Sequence, residues 1–417
     1  MYINRSIEPA VRKISETFSV LMVTGPRQVG KTTLLEKMSG EDRKRITLDD
    51  PDVRWLAKRD PGLFMQRYEP PVLIDEIQYA PELFPYIKMA VDQSGRNGDF
   101  WLTGSQSFQM MKDISESLAG RVGIIQLQGL ATNEIMGVPA RAFSTEPHML
   151  MDRIKEVESI SLEKIYERIC RGSMPKLYSD PTVETEAYYR SYIDTYLKRD
   201  IRDLSQVADE STFYQFMTVV AARTAKPVIY EEIAKECGIS APTAKKWLSI
   251  LQSSNIIVLV QPYHHNHLKR VTKMPLLHFL DTGLCAYLLR WNSPEALERG
   301  AMSGPFFESY VFSEIYKSFL NAGKEPPLYY YRDKEKREID LLIEENGTLF
   351  PIEIKKTASP YKDSVRHFKV LEPLAEPEKF SDSNWTKLNI GNGAVICLGK
   401  DLLPLDRKNW VVPVWMI

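Results

Sequence analysis

The chain has 417 residues, 43% hydrophobic and 26% charged, enough for roughly two to four domains with cores of their own. Its 54 basic and 55 acidic residues leave a net charge of −1, so attraction to nucleic acid has to come from local patches rather than a global field. No apolar run reaches the roughly 18 residues of a membrane span, and Met1 to Arg5 lacks the apolar stretch of a secretion signal, so a cytoplasmic protein away from membranes is expected.

Taken in order, residues 18 to 128 alternate short apolar runs with helix-like stretches, the pattern of a parallel sheet with crossover helices. Strands are expected at Val20–Thr24, Arg45–Leu48, Pro71–Asp75, Asp99–Thr103 and Val122–Leu127. Directly after the first comes a G-x-x-x-x-G-K-[ST] phosphate loop, Gly25, Pro26, Arg27, Gln28, Val29, Gly30, Lys31 and Thr32, with Thr33 opening the helix beyond. Glycines at both ends let the backbone curl so that successive N–H groups face the phosphates of ATP, and the helix adds its positive end. Lys31 would reach the phosphates and Thr32 would offer its hydroxyl to Mg²⁺.

The strand at Pro71 ends in two carboxylates. Asp75 suits the Mg²⁺ water shell, and Glu76 suits polarising the attacking water. Ser105, or alternatively Thr103, stands at the end of the next strand, where it could bond the γ-phosphate and the water. An arginine delivered to the transferring phosphoryl group raises the rate by roughly 10³ to 10⁵. Arg121 is the first candidate and Arg96 the second, and either could act on a neighbouring subunit.

Residues 129 to 210 read as largely helical, with helices at Leu162–Arg171 and over the aromatic run from Ala187, and could form a lid over the nucleotide. Next comes a helix from Tyr230, a turn at Gly238 and a second helix capped by Ser240. Thr243, Lys245 and Lys246 are left free for DNA, although Glu231, Glu232 and Glu236 make the first helix acidic, and packing alone is the other reading. Ile256–Val260 and Leu276–Leu280 suit wing strands. His264, His265 and His267 between them lack a fourth ligand in the vicinity, so a solvated wing fits better than zinc. The four cysteines, Cys170, Cys237, Cys285 and Cys397, form no paired motif and are expected buried and reduced.

The Pro, Gly and Ser signals at 292–294 and 303–305 mark the last expected boundary. Beyond it, Phe306–Lys317 reads as an amphipathic helix carrying Glu308, followed by strands at Tyr329–Arg332, Glu338–Glu344 and Leu349–Lys356. Period-two alternation puts Asp340, Glu353 and Lys355 on one face, able to hold one Mg²⁺ and a water for phosphodiester cleavage. This is similar to the PD-(D/E)xK nuclease pattern, with Glu308 as the extra helical acid. A nuclease-like fold that only binds DNA or a partner is the alternative.

Gly25–Thr32, Val72–Glu76, Leu102–Ser105, Leu118–Arg121 and Thr47–Pro51 together resemble the prokaryotic AAA+ ATPases, and more narrowly those whose C-terminal half is a domain of unknown function. The resemblance implies an α/β P-loop NTPase core with an AAA+/ASCE-like parallel sheet (1–128), a helical lid (129–210), a winged-helix domain (211–300) and an α/β restriction-endonuclease-like domain (301–417). It strengthens the preference for Arg121 as the arginine finger and leaves a lid-borne arginine unassigned. The expected function is ATP hydrolysis by a homo-oligomer, a hexameric ring being one form, coupled to binding or remodelling DNA, branched DNA included. A nucleotide-gated switch that engages a protein, and an ATP-gated metal-dependent nuclease, are the alternatives.

Overall fold

The strand β1 (Val20–Thr24) is apolar up to its last residue and buried along its whole length, because it sits inside a sheet covered on both faces. Its neighbours are β2 (Lys44–Thr47), β3 (Val72–Asp75), β4 (Phe100–Thr103) and β5 (Val122–Gln126), in the order β2-β3-β4-β1-β5 with every pairing parallel. The computed structural model describes residues 2–104, 114, 116–196, 210–263, 274–372 and 388–417. Ser105, His264, His265 and His267 lie outside the described residues.

Inserting β4 between β1 and β3 brings the polar ends of three strands to one edge of the sheet, where the loop after β1 also emerges. Parallel strands start together at the opposite edge. Arg96 and Arg121 precede β4 and β5 and therefore belong to that opposite edge.

Helices Leu162–Arg171 and Thr185–Tyr196 form as expected, and they pack against Thr282–Leu288. Asp281 ties this contact together. Its carboxylate accepts from the Ser173 backbone at 2.8 Å, the Ser173 hydroxyl at 2.7 Å and the Tyr189 hydroxyl at 2.7 Å. The helices expected as a lid are thus built into one packed unit with residues well downstream.

Helix Glu210–Ala221, the short strand β6 (Lys226–Pro227), helices Tyr230–Cys237 and Ala241–Ser253, and strands β7 (Ile257–Val260) and β8 (Leu276–Phe279) follow, the strands ordered β6-β8-β7. Gly238 takes φ 65° to end the first helix of the pair, and Ser240 caps the second by accepting from the Thr243 N–H at 3.2 Å. Trp247 packs between Phe213 and Phe216, with centroids 5.0 and 5.3 Å away.

Helix Ser303–Asn321 differs from the amphipathic reading: Phe306, Phe307 and every residue from Ser309 to Ile315 are buried. Glu314 and Lys317 supply each other's charge partner at 2.5 Å, which allows polar residues on buried sides. Gly304 and Pro305 fall in the first turn of this helix rather than in a linker, since the missing proline N–H is among those left unpaired there. A seven-stranded sheet carries the rest: β9 (Leu328–Arg332), β10 (Glu338–Glu345) and β11 (Thr348–Lys355) antiparallel, then β13 (Gly393–Cys397) and β15 (Asn409–Pro413) parallel to β11, with β12 (Asn389–Ile390) and β14 (Leu403–Pro404) short additions. All four cysteines are free thiols and buried. Among the described residues no helix is long and apolar enough to cross a membrane.

Candidate active site

The loop Gly25–Thr32 bends where its sequence permits. Gly25 has φ 145°, and a Cβ there would lie 2.0 Å from the Leu127 carbonyl oxygen at the end of β5. Gly30 has φ 88° and stands immediately before helix Lys31–Met38. Both glycines are therefore demanded by backbone geometry. Lys31 is buried and folds its ammonium back over the loop, donating to the carbonyls of Gly25 at 3.1 Å and Pro26 at 2.8 Å. Thr33 is exposed in the first turn of the helix.

Thr32 and Asp75 meet directly. The Thr32 hydroxyl donates to Asp75 Oδ1 at 2.6 Å. Thr103, fully buried at the end of β4, donates its hydroxyl to the same oxygen and accepts the Glu76 N–H at 3.2 Å. A hydroxyl and a carboxylate held side by side form the hard-oxygen pair that Mg²⁺ favours, so Thr32 and Asp75 fit that ion. Bound there, Mg²⁺ would neutralise charge on the phosphates. Glu76 lies just past the strand with φ 58° and ψ 47°, a left-handed conformation uncommon outside glycine, and its carboxylate accepts from the Gln78 side chain. That backbone turn aims Glu76 away from the strand line that Asp75 continues. Sequence reasoning missed Gln78 and gave Thr103 second place to Ser105, which lies outside the described residues.

Arg121 stands apart from this cluster. It precedes β5, whose five residues at about 3.3 Å each put it roughly 16 Å from the phosphate-loop edge. Its guanidinium grips Asp92 with two bonds, Nε to Oδ1 at 2.5 Å and Nη2 to Oδ2 at 3.0 Å. Arg96 is at the same far edge, paired with Asp99 at 3.2 Å. Neither arginine can serve the phosphate loop of its own chain.

A second cluster lies in the C-terminal sheet. Continuing the β10–β11 register one step beyond Leu341 and Ile352 sets Asp340 opposite Glu353. Lys355 bonds Glu353 at 2.5 Å and lies 3.8 Å from Asp340, while Asp340 accepts the Ile354 N–H at 2.8 Å. Burial and then the charge of Asp340 push Glu353 up to about 8. Glu308 is raised well above the ordinary range by burial, Asp340 and Glu338, and Asp340 is raised by burial against the pull of Lys355. Burial lowers Lys355, but Asp340 and Glu353 outweigh it and keep the amine protonated. One oxygen of Glu353, Oε2, is buried without a hydrogen-bond partner. Crowded carboxylates with an orphan oxygen fit a divalent cation. Among the described residues no three His, Cys, Asp or Glu side chains are gathered for one ion, so such a cation would rely on Asp340 and Glu353 with solvent completing its shell.

Along the helix Ala241–Ser253, Lys245 and Lys246 are exposed as expected, whereas the Thr243 hydroxyl lies 2.8 Å from the Ser240 hydroxyl within the helix cap. Arg223 offsets part of the acidic first helix through two bonds of 2.7 Å to Glu236.

Residues 17–136, which hold the phosphate loop, Asp75, Glu76 and Thr103, match the model of the AAA domain family. This part of the chain is an AAA-type ATPase domain. Its fold is that of an ATP-binding and ATP-hydrolysing protein. The C-terminal side carries two domains of unknown function, matched over 162–295 and 303–417, the first of which runs across the boundary expected at 210. An uncharacterized protein of Mycobacterium tuberculosis and one of Mycobacterium bovis are each 29% identical to this chain over 358 residues, spanning 85% of it and 74% of their own length. Among solved structures, the Walker-type ATPase PABY2304 of Pyrococcus abyssi is similar with a TM-score of 0.42 and 14% identity, covering 69% of this chain and 96% of that one. A RuvB variant of Thermotoga maritima has a TM-score of 0.26 and 16% identity, covering 61% and 86%.

Proposed function

We propose that this AAA+ ATPase hydrolyses ATP at a site shared between two copies of the chain, and that its C-terminal domains apply the resulting movement to DNA. The position of Arg121 carries the first part. An arginine about 16 Å from its own phosphate loop but held at the surface by Asp92 is suited to a neighbour's γ-phosphate. Within that site Lys31 would leave the loop carbonyls for the phosphates, Thr32 and Asp75 would hold Mg²⁺, Glu76 would polarise the water, and Thr103 would keep Asp75 and Glu76 aligned. Trp55, Leu63, Tyr86 and Met89 on the ATPase domain are 63, 49, 38 and 57% exposed, apolar area that a second copy could cover. Tyr86 and Met89 share helix Phe84–Ser94 with Asp92.

For the second part, the order helix, strand, helix, helix, strand, strand over residues 210–279 supports a winged helix, with Lys245 and Lys246 exposed on its second paired helix. A buried ion pair supports coupling between the two halves. Glu314 accepts the Thr132 N–H at 2.7 Å and Lys317 donates to the Leu130 carbonyl at 3.0 Å, so the segment after β5 is gripped by the helix that also carries Glu308. The test is ATP hydrolysis with and without duplex or branched DNA. Stimulation of about threefold or more, reduced by salt and by Lys245→Glu with Lys246→Glu, is expected. Unchanged hydrolysis together with no salt-sensitive DNA binding would contradict it.

The unpartnered Glu353 oxygen favours a second reading, a metal-dependent phosphodiesterase site at Asp340, Glu353, Lys355 and Glu308. Lys355, kept protonated, would hold a water or the phosphate rather than act as a base. Metal-dependent nicking of plasmid DNA by the wild type and not by Asp340→Ala is the expected result for cleavage, and equal nicking by both is the contrary one.

A further inference from the structure

Arg5 precedes the first helix and belongs to no motif, yet it is buried and bonded to three separate parts of the ATPase domain. Its Nη1 donates to the Val29 carbonyl at 2.9 Å, its Nη2 to the Gln128 carbonyl at 2.7 Å, and its Nε to the Glu134 carboxylate at 3.1 Å. Glu134 is equally committed: it also accepts the Ser6 N–H at 2.7 Å and the Ala131 N–H at 2.8 Å, and its side chain is 0% exposed. The guanidinium is therefore fixed from below and can offer its fork in one direction only.

Val29 lies at the crest of the phosphate loop, between Gln28 at φ 62° and Gly30 at φ 88°. In a trans peptide the carbonyl of one residue and the N–H of the next point in opposite directions. Drawing the Val29 carbonyl onto Arg5 turns the Gly30 N–H to the opposite side of the peptide, away from Arg5. We infer that Arg5 is a positioning residue for nucleotide binding: through the Val29 carbonyl it presets the Gly30 amide toward the nucleotide phosphates. Without this hold, the peptide leading into the left-handed Gly30 is free to flip and withdraw the donor. The inference rests on the nucleotide reading of the loop, and it adds a residue outside that motif.

The experiment uses the full chain, the affinity of Mg-ADP measured with a fluorescently labelled ADP, and thermal unfolding without nucleotide. Arg5→Lys retains a charge partner for Glu134 but cannot fork onto two carbonyls. It is expected to weaken ADP binding about tenfold, as for the loss of one hydrogen bond to a charged phosphate. Its kcat at saturating ATP should change less than about threefold, because the amide meets the phosphate in ground and transition states alike. Glu134→Gln, which leaves the Arg5 bond to Val29 in place, should lower the melting temperature further than Arg5→Lys while holding ADP affinity within about threefold of wild type. Should Arg5→Lys not fold, the doubly neutral variant Arg5→Gln with Glu134→Gln removes the buried pair as a unit and carries the same affinity comparison. ADP affinity within about twofold of wild type in a folded Arg5 variant, with only the melting temperature lowered, would make Arg5 a structural ion pair and overturn the inference alone. A wild type that does not bind Mg-ADP would remove the nucleotide reading and this inference with it.

Discussion

Replacing Thr103 by valine keeps the volume of the side chain and removes one hydroxyl, the one that donates to Asp75 and accepts the Glu76 N–H at 3.2 Å. Both partners lose a bond in a region where Thr103 itself is fully buried. Leaving one such group unsatisfied costs about 1–3 kcal/mol. The larger consequence is positional, since Glu76 sits in a left-handed conformation that the Thr103 bond helps to hold. If about 1.4–2.7 kcal/mol of that hold is lost from the transition state, kcat falls roughly 10- to 100-fold. Phosphate release at saturating Mg-ATP measures kcat, and labelled-ADP binding reports on the loop separately. ADP affinity should stay within about threefold of wild type, because the Thr103 hydroxyl bonds Asp75 and Glu76 rather than the loop backbone or Lys31. Thr103→Ser, which restores the hydroxyl, should recover most of the rate. A Thr103→Val enzyme with kcat within about twofold of wild type would refute the assignment.

Two buried titrating groups give stability effects of opposite sign. His278 is held by burial at about 3, stacked on Phe312 at 4.3 Å, with its Nδ1 3.1 Å from the Ser309 hydroxyl. Its stability contribution is present above the ordinary histidine value of 6.5 and is lost as pH falls toward about 3, so the melting temperature should drop in acid, and His278→Phe should weaken that drop. Glu353, raised from 4.5 to about 8, contributes stability that is full below 4.5 and lost as pH rises through about 8. Thermal unfolding between these values should show the decline, Mg²⁺ or Mn²⁺ should reverse it at high pH by binding the ionised carboxylates, and Glu353→Gln should abolish both effects. A melting temperature indifferent to divalent cations at the upper end would count against a metal site there.

Much of the nucleotide edge was legible because its chemistry is local. A five-residue apolar strand running into fixed glycines, and a second apolar strand ending in Asp75 and Glu76, state their geometry within a few residues. The pairing of Asp340 with Glu353 and Lys355 was legible for a similar reason, period-two alternation across a short hairpin. What escaped depends on distance along the chain. Arg5 and Glu134 are 129 residues apart, and neither has a neighbour in sequence that signals a buried pair. Glu314 and Lys317 fall within the stretch read as an amphipathic helix, and a charge whose partner lies one turn away reads the same whether solvent or protein surrounds it. The strands β13 and β15 were not separated from the mixed C-terminal pattern, since short buried runs such as Gly393–Cys397 carry no alternation. Arg121 was found by its place before the last strand of the first sheet, but only the parallel register revealed that its own active site lies at the other edge.

The measurement that bears most directly on a shared site is a mixing experiment with two inactive variants, Glu76→Gln and Arg121→Ala. Each alone should hydrolyse ATP at about 1% of the wild-type rate or less, about 10²-fold or more down. A site built from Glu76 of one copy and Arg121 of the next predicts that equimolar mixing restores a substantial fraction of activity, because some interfaces in the mixed assembly then carry both intact residues. Arg121→Ala hydrolysing ATP at the wild-type rate, or two inactive variants that stay inactive after mixing into one assembly, would contradict it.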